Sequence, residues 1–237
     1  MKTKSLFILG GIVMSTLTSC ESEKKQATES CTAAKACNVA NKAPYQKKYT
    51  NADFYKDGKL QPEIARAAYL DMFDYYGIPY TDYLKKNLFV TDFDLGDLEN
   101  VGMAGVFWIN NQEDGYFGHE IYLLPDQMIV EHKHLPTEVR AKMESWQVRN
   151  GWVYNFGTGE ATPGAPAHPK SQEGFITVAN FTKLHEGDIA TLNQLEAPHF
   201  LRAGDKGAIV TEYGTYHDGN GLRFTNPKVN FVDCLQK

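Results

Sequence analysis

The sequence predicts an all-β protein of antiparallel strands, closed as a barrel or stacked as a sandwich, on three observations. From about Met103 onward, short runs rich in β-branched and aromatic residues follow one another: MAGVFWI, HEIYLL, QMIVEHKH, ESWQVRNGWVYNFG, GFITVAN and AIVTEYGTY. Turn signals punctuate them, among them Gly115, Pro125-Asp126, Gly157 to Gly159, Glu186-Gly187-Asp188 and Asp205-Lys206-Gly207. No helical pattern intervenes, so the crossovers that parallel strands require are missing.

The first residues stand outside that fold. Lys2 and Lys4 precede an apolar run, Ser5 to Thr18, of signal-peptide length and too short to span a bilayer. It ends in Leu17-Thr18-Ser19-Cys20, which resembles a bacterial lipobox. Residues 1–19 are then a leader, and cleavage leaves Cys20 as the lipidated N-terminus. An ordinary export signal with a chance cysteine is the alternative. The expected location is outside the cytoplasm, in the periplasm or on the cell surface, with this lipid as the sole membrane anchor. Residues 20–50 are polar, lysine-rich and aperiodic, the composition of a solvated tether. Within it Cys31 and Cys37 suit a small-loop disulfide, or a metal pair for which no second pair of ligands lies nearby. Cys234 is given no role.

Residues 51–237 read as a single domain with helical decoration at its N-terminal side. A helix is expected from Leu60 to Gly77, with Pro62 in its first turn and Gly77 as its stop. Ala65, Tyr69, Met72, Phe73 and Tyr76 share one face of it. A second, short helix is expected from Tyr80 to Lys86. Among the strands, Asn150-Gly151 between two Trp-containing runs is the plainest hairpin signal. Thr158 to Gln172, with three prolines, reads as an irregular excursion.

Composition limits the function. With 42% hydrophobic residues the chain can bury a core, which excludes wholesale disorder. Its net charge of −5, with no basic run, excludes a nucleic-acid partner, which needs clustered Lys and Arg to displace counterions.

One constellation carries chemistry. His132 and His134 end an apolar strand, and residues two apart on a strand face the same way. Glu144 begins the next strand, and His199 follows Ala197-Pro198 far downstream. Three imidazoles and a carboxylate suit manganese, iron, cobalt, nickel or zinc. His-x-His, then Glu seven residues before Gly151, then Gly187-Asp188 and Pro198-His199, resembles the two motifs of the cupin superfamily, which implies a jelly-roll barrel. Four stretches are more specifically similar to D-lyxose isomerases. They are Val90 to Asp97 with Gly102 to Gly105, Glu131 to His134 with Lys142-Met143-Glu144, Pro198 to Tyr213, and Phe224-Thr225-Asn226-Pro227. The chain departs from that family at Asp218-Gly219-Asn220-Gly221-Leu222, where carboxylates are expected, and at Leu135-Pro136-Thr137-Glu138.

The resemblance implies an aldose-ketose isomerase acting on a free sugar through an enediolate: D-lyxose and D-xylulose, or D-mannose and D-fructose. Its cofactor is a divalent metal, with Mn²⁺ first and Zn²⁺, Co²⁺, Ni²⁺ or Fe²⁺ as alternatives. Glu212 is the candidate base and Lys142 the candidate group that steadies an enediolate oxygen. Pairing of two copies through barrel strands is also implied. An iron-dependent cupin dioxygenase and a non-catalytic, lipid-anchored sugar-binding cupin are the competing readings. His119 with Glu120 reads as a surface pair in preference to a support for the metal ligands, His168 as solvent-facing, and the tryptophans as core or pocket wall rather than sugar platforms, with Trp108 open to either role; His217 is a candidate for a sugar hydroxyl.

Overall fold

A computed structural model of the protein describes residues 45–46 and 48–231. Cys20, Cys31, Cys37 and Cys234, the leader and most of the tether lie outside those residues.

The described chain opens with a helical turn, α1 (Asn51–Phe54), and a small ribbon, β1 (Tyr55–Lys56) and β2 (Lys59–Leu60). α2 (Pro62–Tyr76) is the expected long helix. Pro62 takes a first-turn position where its missing N–H removes no bond, and Gly77 ends the helix in the left-handed region at φ 72°. Four of the five residues expected on its inner face, Ala65, Tyr69, Met72 and Phe73, are buried, joined by Ala68. Tyr76 instead lies half-buried and its hydroxyl donates to the Lys206 carbonyl at 2.9 Å. α3 (Asp82–Asn87) is the short second helix, capped by Thr81, whose hydroxyl accepts from the Leu84 N–H.

The strands follow: β3 (Phe89–Thr91), β4 (Met103–Asn111), β5 (Tyr116–Leu123), β6 (His132–His134), β7 (Glu144–Gly157), β8 (Asn180–His185), β9 (Ile189–Thr191), β10 (Phe200–Thr215) and β11 (Leu222–Phe224). One antiparallel sheet runs β3-β4-β5-β10-β7-β8, with β9 also paired to β7; β6 and β11 form a two-stranded antiparallel sheet. Alternation along the strands sorts side chains between two cores. Met103, Ile121, Leu123, Val148 and Val210 point to the inner one, which Phe224, Val229 and Phe231 flank. Ala104, Val106, Tyr122 and Ile209 point to the outer one, against Tyr69, Met72 and Phe73 of α2.

Three local expectations are corrected. Asn150-Gly151 is not a hairpin, because β7 runs through it for 14 residues. The expected two-residue turn needs positive φ at both positions, and here Gly151 has it (72°) while Asn150 does not. Val148 pairs with Val210 and Asn150 with Ile209, leaving Arg149 as the extra residue of a β-bulge. A Cβ on Gly151 would stand 2.1 Å from the Gly207 carbonyl oxygen, so the close approach of β10 demands glycine there. GFITVAN is not a strand until its last residue, since the N–H groups of Thr177 and Val178 donate to Glu131, at 2.7 and 3.1 Å. In QMIVEHKH only the last three residues form a strand. Residues 127–131 divide their backbone bonds between neighbours, with Met128 N–H on Asn100 and Ile129 N–H on Leu201.

Candidate metal centre

Three strands bring the ligand candidates together. β6 sets His132 and His134 on one face, 5.3 Å apart between ring centroids. Glu144 opens β7, opposite Gly214 of β10. His199 lies just before β10 and exchanges both backbone hydrogen bonds with His132, at 3.1 and 2.9 Å. One potential ligand atom from each of the four lies within 4.8 Å of all the others.

These groups fit a cation between them. His199 Nε2 stands 2.8 Å from Glu144 Oε2, and His134 Nε2 stands 3.1 Å from Oε1. Despite those distances, both ring nitrogens and Oε2 lack a hydrogen-bond partner of acceptable geometry. Buried polar atoms left in that condition are costly, and a shared cation would satisfy all three. Nδ1 fixes two of the rings: that of His132 lies 2.9 Å from the Val130 carbonyl and that of His199 2.8 Å from the Ala197 carbonyl. With Nδ1–H donating there, each Nε2 turns its lone pair inward, as metal-binding imidazoles require.

Charge is arranged to match. Burial opposes the charge of Glu144, but Lys142, His134 and His199 together hold its carboxyl well below the usual range. Burial, reinforced by the neighbouring His199 and His134, pushes His132 well below the usual imidazole range, so it stays neutral. His134 is also lowered by burial, whereas at His199 the Glu144 carboxylate outweighs burial and raises it.

Glu212 and Lys142 join this centre. Lys142 Nζ lies 2.6 Å from Glu144 Oε1 and also bonds Glu212 Oε1, so one buried ammonium bridges two buried carboxylates. Burial disfavours its charge, but the two carboxylates prevail and raise its pKa. At Glu212 burial likewise opposes ionisation, and Lys142 brings the carboxyl below its ordinary value. A small cavity of about 70 Å³ borders Lys142, Glu212 and the ligand candidates except His199.

His119 was misjudged from sequence. It pairs across the sheet with Glu212, and its Nδ1 lies 3.5 Å from Glu212 Oε2. The ring is buried, stacked on Phe107 at 4.4 Å, and burial lowers its pKa. Alternation held the signal: His119 shares a strand face with Ile121 and Leu123, both buried in the inner core. Gly105 makes the space, because a Cβ there would stand 2.5 Å from His119 Nε2. Glu120 points the other way, accepting from Thr211 at 3.0 Å. His168 is not free in solvent but packs edge-on to Phe156 and Phe200. His217 lines the cavity, and Trp146 packs against His199 as a wall. Glu131, next to His132, serves structure: its carboxylate also accepts from the Thr177 and Thr225 hydroxyls, at 2.6 Å each, tying two loops to the ligand strand.

Proteins of known activity share this chain's sequence over most of its folded part. It is 35% identical over 161 residues to the D-lyxose/D-mannose isomerase of Thermosediminibacter oceani, covering 67% of this chain and 87% of that protein. It is 33% identical over 174 residues to the D-lyxose ketol-isomerase of Cohnella laeviribosi, covering 73% and 94%. Among solved structures, the L-ribose isomerase of Acinetobacter sp. DL28 superposes with a TM-score of 0.56 at 16% identity, over 78% of this chain and 96% of that one. The Cellulomonas parahominis L-ribose isomerase with L-psicose gives 0.55 at 14% identity, over 70% and 91%. At such identities the structural likeness speaks for the fold alone. No family model matches the chain.

Proposed function

This chain belongs to the D-lyxose isomerase family and is a sugar isomerase, and from that premise we propose a metal-dependent interconversion of a free aldose and its ketose, D-lyxose with D-xylulose or D-mannose with D-fructose. The observation that supports it is Lys142 and Glu212 joined beside the His132, His134, Glu144 and His199 cluster.

The reaction moves the proton on C2 to C1 and the hydroxyl proton on O2 to O1, so the carbonyl passes from C1 to C2. Glu212, held ionised beside Lys142, accepts the C2 proton and returns it to C1. Lys142 keeps its proton between two carboxylates and donates a hydrogen bond to the oxygen that becomes negative in the enediolate. His119 orients the Glu212 carboxylate from the side opposite Lys142. A divalent cation, Mn²⁺ in our reading, would be held by His132, His134, Glu144 and His199 and supply Lewis-acid stabilisation of that charge. The Phe107 and Phe89 rings stacked on His119 limit water near the base.

The test is metal analysis of the full chain together with an NMR assay on D-lyxose and D-mannose with Mn²⁺ restored. About one metal per chain and sugar turnover are expected. Glu212→Gln should lower kcat by roughly a thousandfold with metal content unchanged, the size expected for loss of general-base catalysis. Turnover surviving that substitution, or a wild-type chain that binds no divalent metal, would sink the reading.

We also propose export and lipidation at Cys20, supported by the leader and the lipobox-like Leu17-Thr18-Ser19-Cys20. Cys20→Ala should move the protein from the membrane to the soluble fraction. An unchanged distribution would argue against an anchor at that residue.

A further inference from the structure

The end of the proline-rich excursion and the loop after it supply no candidate ligand, yet together they enclose a second cavity. It holds about 320 Å³ and shares no lining residue with the cavity beside Lys142 and Glu212. That volume falls within the range of small-molecule sites.

Two polar groups in its lining are buried and unanswered. Gln172, the last residue of a single 3-10 turn (Lys170–Gln172), is 1% exposed. Its main-chain N–H donates to the Pro169 carbonyl at 2.8 Å, and its Oε1 lies 3.5 Å from Asn226 Nδ2. Its Nε2 has no hydrogen-bond partner among the described residues, and neither has His168 Nδ1. The His168 ring packs edge-on to Phe156 and Phe200. Burial, and after it the charge of Arg202, lowers the His168 pKa, so the ring is neutral at pH 7. Two desolvated groups left in this condition cost stability that a ligand would recover.

The chemistry of the pair selects that ligand. Gln172 Nε2 donates, and a neutral imidazole nitrogen donates or accepts according to its tautomer. A hydroxyl does both, so it answers Nδ1 in either tautomer and Nε2 as well. A carboxylate can only accept and an ammonium can only donate. No Lys or Arg is among the described lining residues, and the charged side chain there, Glu173, is exposed and repels anions. Arg202 acts on His168 from outside the lining and spends its guanidinium on the carbonyls of Ala167 and Asp126, at 2.6 and 3.2 Å. Ala167, Ile176, Val178 and Ala179 also border the cavity, and their hydrocarbon suits the C–H face of a sugar or polyol. The same wall reaches the metal centre, because the Thr177 and Val178 N–H groups donate to Glu131, the neighbour of His132. We propose that this cavity is a second binding site, for a neutral polyhydroxylated molecule of sugar size, whose occupant braces the loop that holds Glu131. It stands independently of the isomerase reading.

The probe is xylitol, which has no carbonyl to isomerise, titrated by calorimetry into the full chain without added metal. One saturable site is expected. Gln172→Leu and His168→Phe should each weaken it roughly tenfold, the size of a hydrogen bond whose partner is left unanswered. Glu212→Gln, in the other cavity, should leave it unchanged. Xylonate, a carboxylate of the same carbon chain, should bind roughly tenfold more weakly or worse. With xylitol at about ten times its Kd, hydrogen exchange of the Thr177 and Val178 amides should slow about tenfold, as binding to the closed loop alone requires. Should Gln172→Leu fail to fold, His168→Phe decides, because its ring keeps the packing on Phe156 and Phe200. No saturable binding means that the cavity holds water alone and overturns the proposal. Binding that survives the cavity variants, or is lost in Glu212→Gln, overturns it too, since either places xylitol beside the metal centre.

Discussion

The two cores of the molecule treat buried polar groups in opposite ways. In the outer core, beneath α2, Gln127 is fully buried and well bonded: its Oε1 accepts from the Tyr69 hydroxyl and the Leu124 N–H at 2.9 Å each, and its Nε2 donates to the Leu98 carbonyl. At the polar end of the inner core, charged groups crowd together, and His134 Nε2, His199 Nε2 and Glu144 Oε2 are among the atoms left without hydrogen bonds. The first arrangement serves stability, because both amide atoms have hydrogen-bond partners. The second costs stability unless something outside the chain completes it, and such residual cost marks a functional site.

The largest effect should come from breaking the inner network. Lys142→Met leaves Glu144 and Glu212 as buried carboxylates with no ammonium between them. Removing one partner of a buried ion pair costs about 3–5 kcal/mol. Urea melts should show that loss in metal-free protein and partial recovery with Mn²⁺, and turnover should vanish. A variant as stable as the parent, with or without metal, would erase the contrast between the cores.

The outer core gives the control. Phe73 is buried and packs 4.5 Å from Tyr122, so Phe73→Ala should cost roughly 3–4 kcal/mol by leaving a cavity. Because this packing lies on the other face of the sheet, kcat of the folded fraction should stay within about twofold of the parent, and Mn²⁺ should not restore the lost stability in preference to the parent. A large fall in kcat would show that the cores are coupled.

Gly105 stands where the two meet. An added Cβ would meet His119 Nε2 at 2.5 Å and Phe89 at 2.8 Å, so Gly105→Ala should cost roughly 1–3 kcal/mol and displace His119 from Glu212. The informative readout is kcat against KM, with kcat falling more. If only stability changes, His119 does not orient the base.

The smallest effect belongs to the exposed rim. Hydrogen bonds from the Thr137 hydroxyl and the Asn220 N–H hold Asp218 below its ordinary value of 3.8. A lowered carboxyl contributes stability above the unfolded pKa and loses it as pH falls through the folded one. Solvent screening keeps this to about a few tenths of a kcal/mol. Asp218→Asn should therefore be slightly less stable at pH 7 and indistinguishable from the parent well below pH 3.8, as urea midpoints would show. A gap that is constant with pH would remove ionisation as its cause.

The sequence by itself determined the antiparallel class, both main helices, the inner face of α2 and the four ligand candidates. Those rest on local rules: Pro62 and Gly77 bound a helix, strand alternation puts His132 and His134 on one face, and turn residues separate the strands. Tertiary structure alone decided that β7 runs on through Asn150-Gly151, with the bulge at Arg149, because a tight turn and a continuous strand can each hold a left-handed glycine and differ in what passes beside it, here the Gly207 carbonyl. It alone made a loop of Ile176 to Ala179, whose sequence suits a strand, because Glu131 rather than a neighbouring strand answers the N–H groups of Thr177 and Val178. It alone set His119 against Glu212, 93 positions away by their numbering, because register across two strands is fixed by packing between distant segments that no local pattern contains.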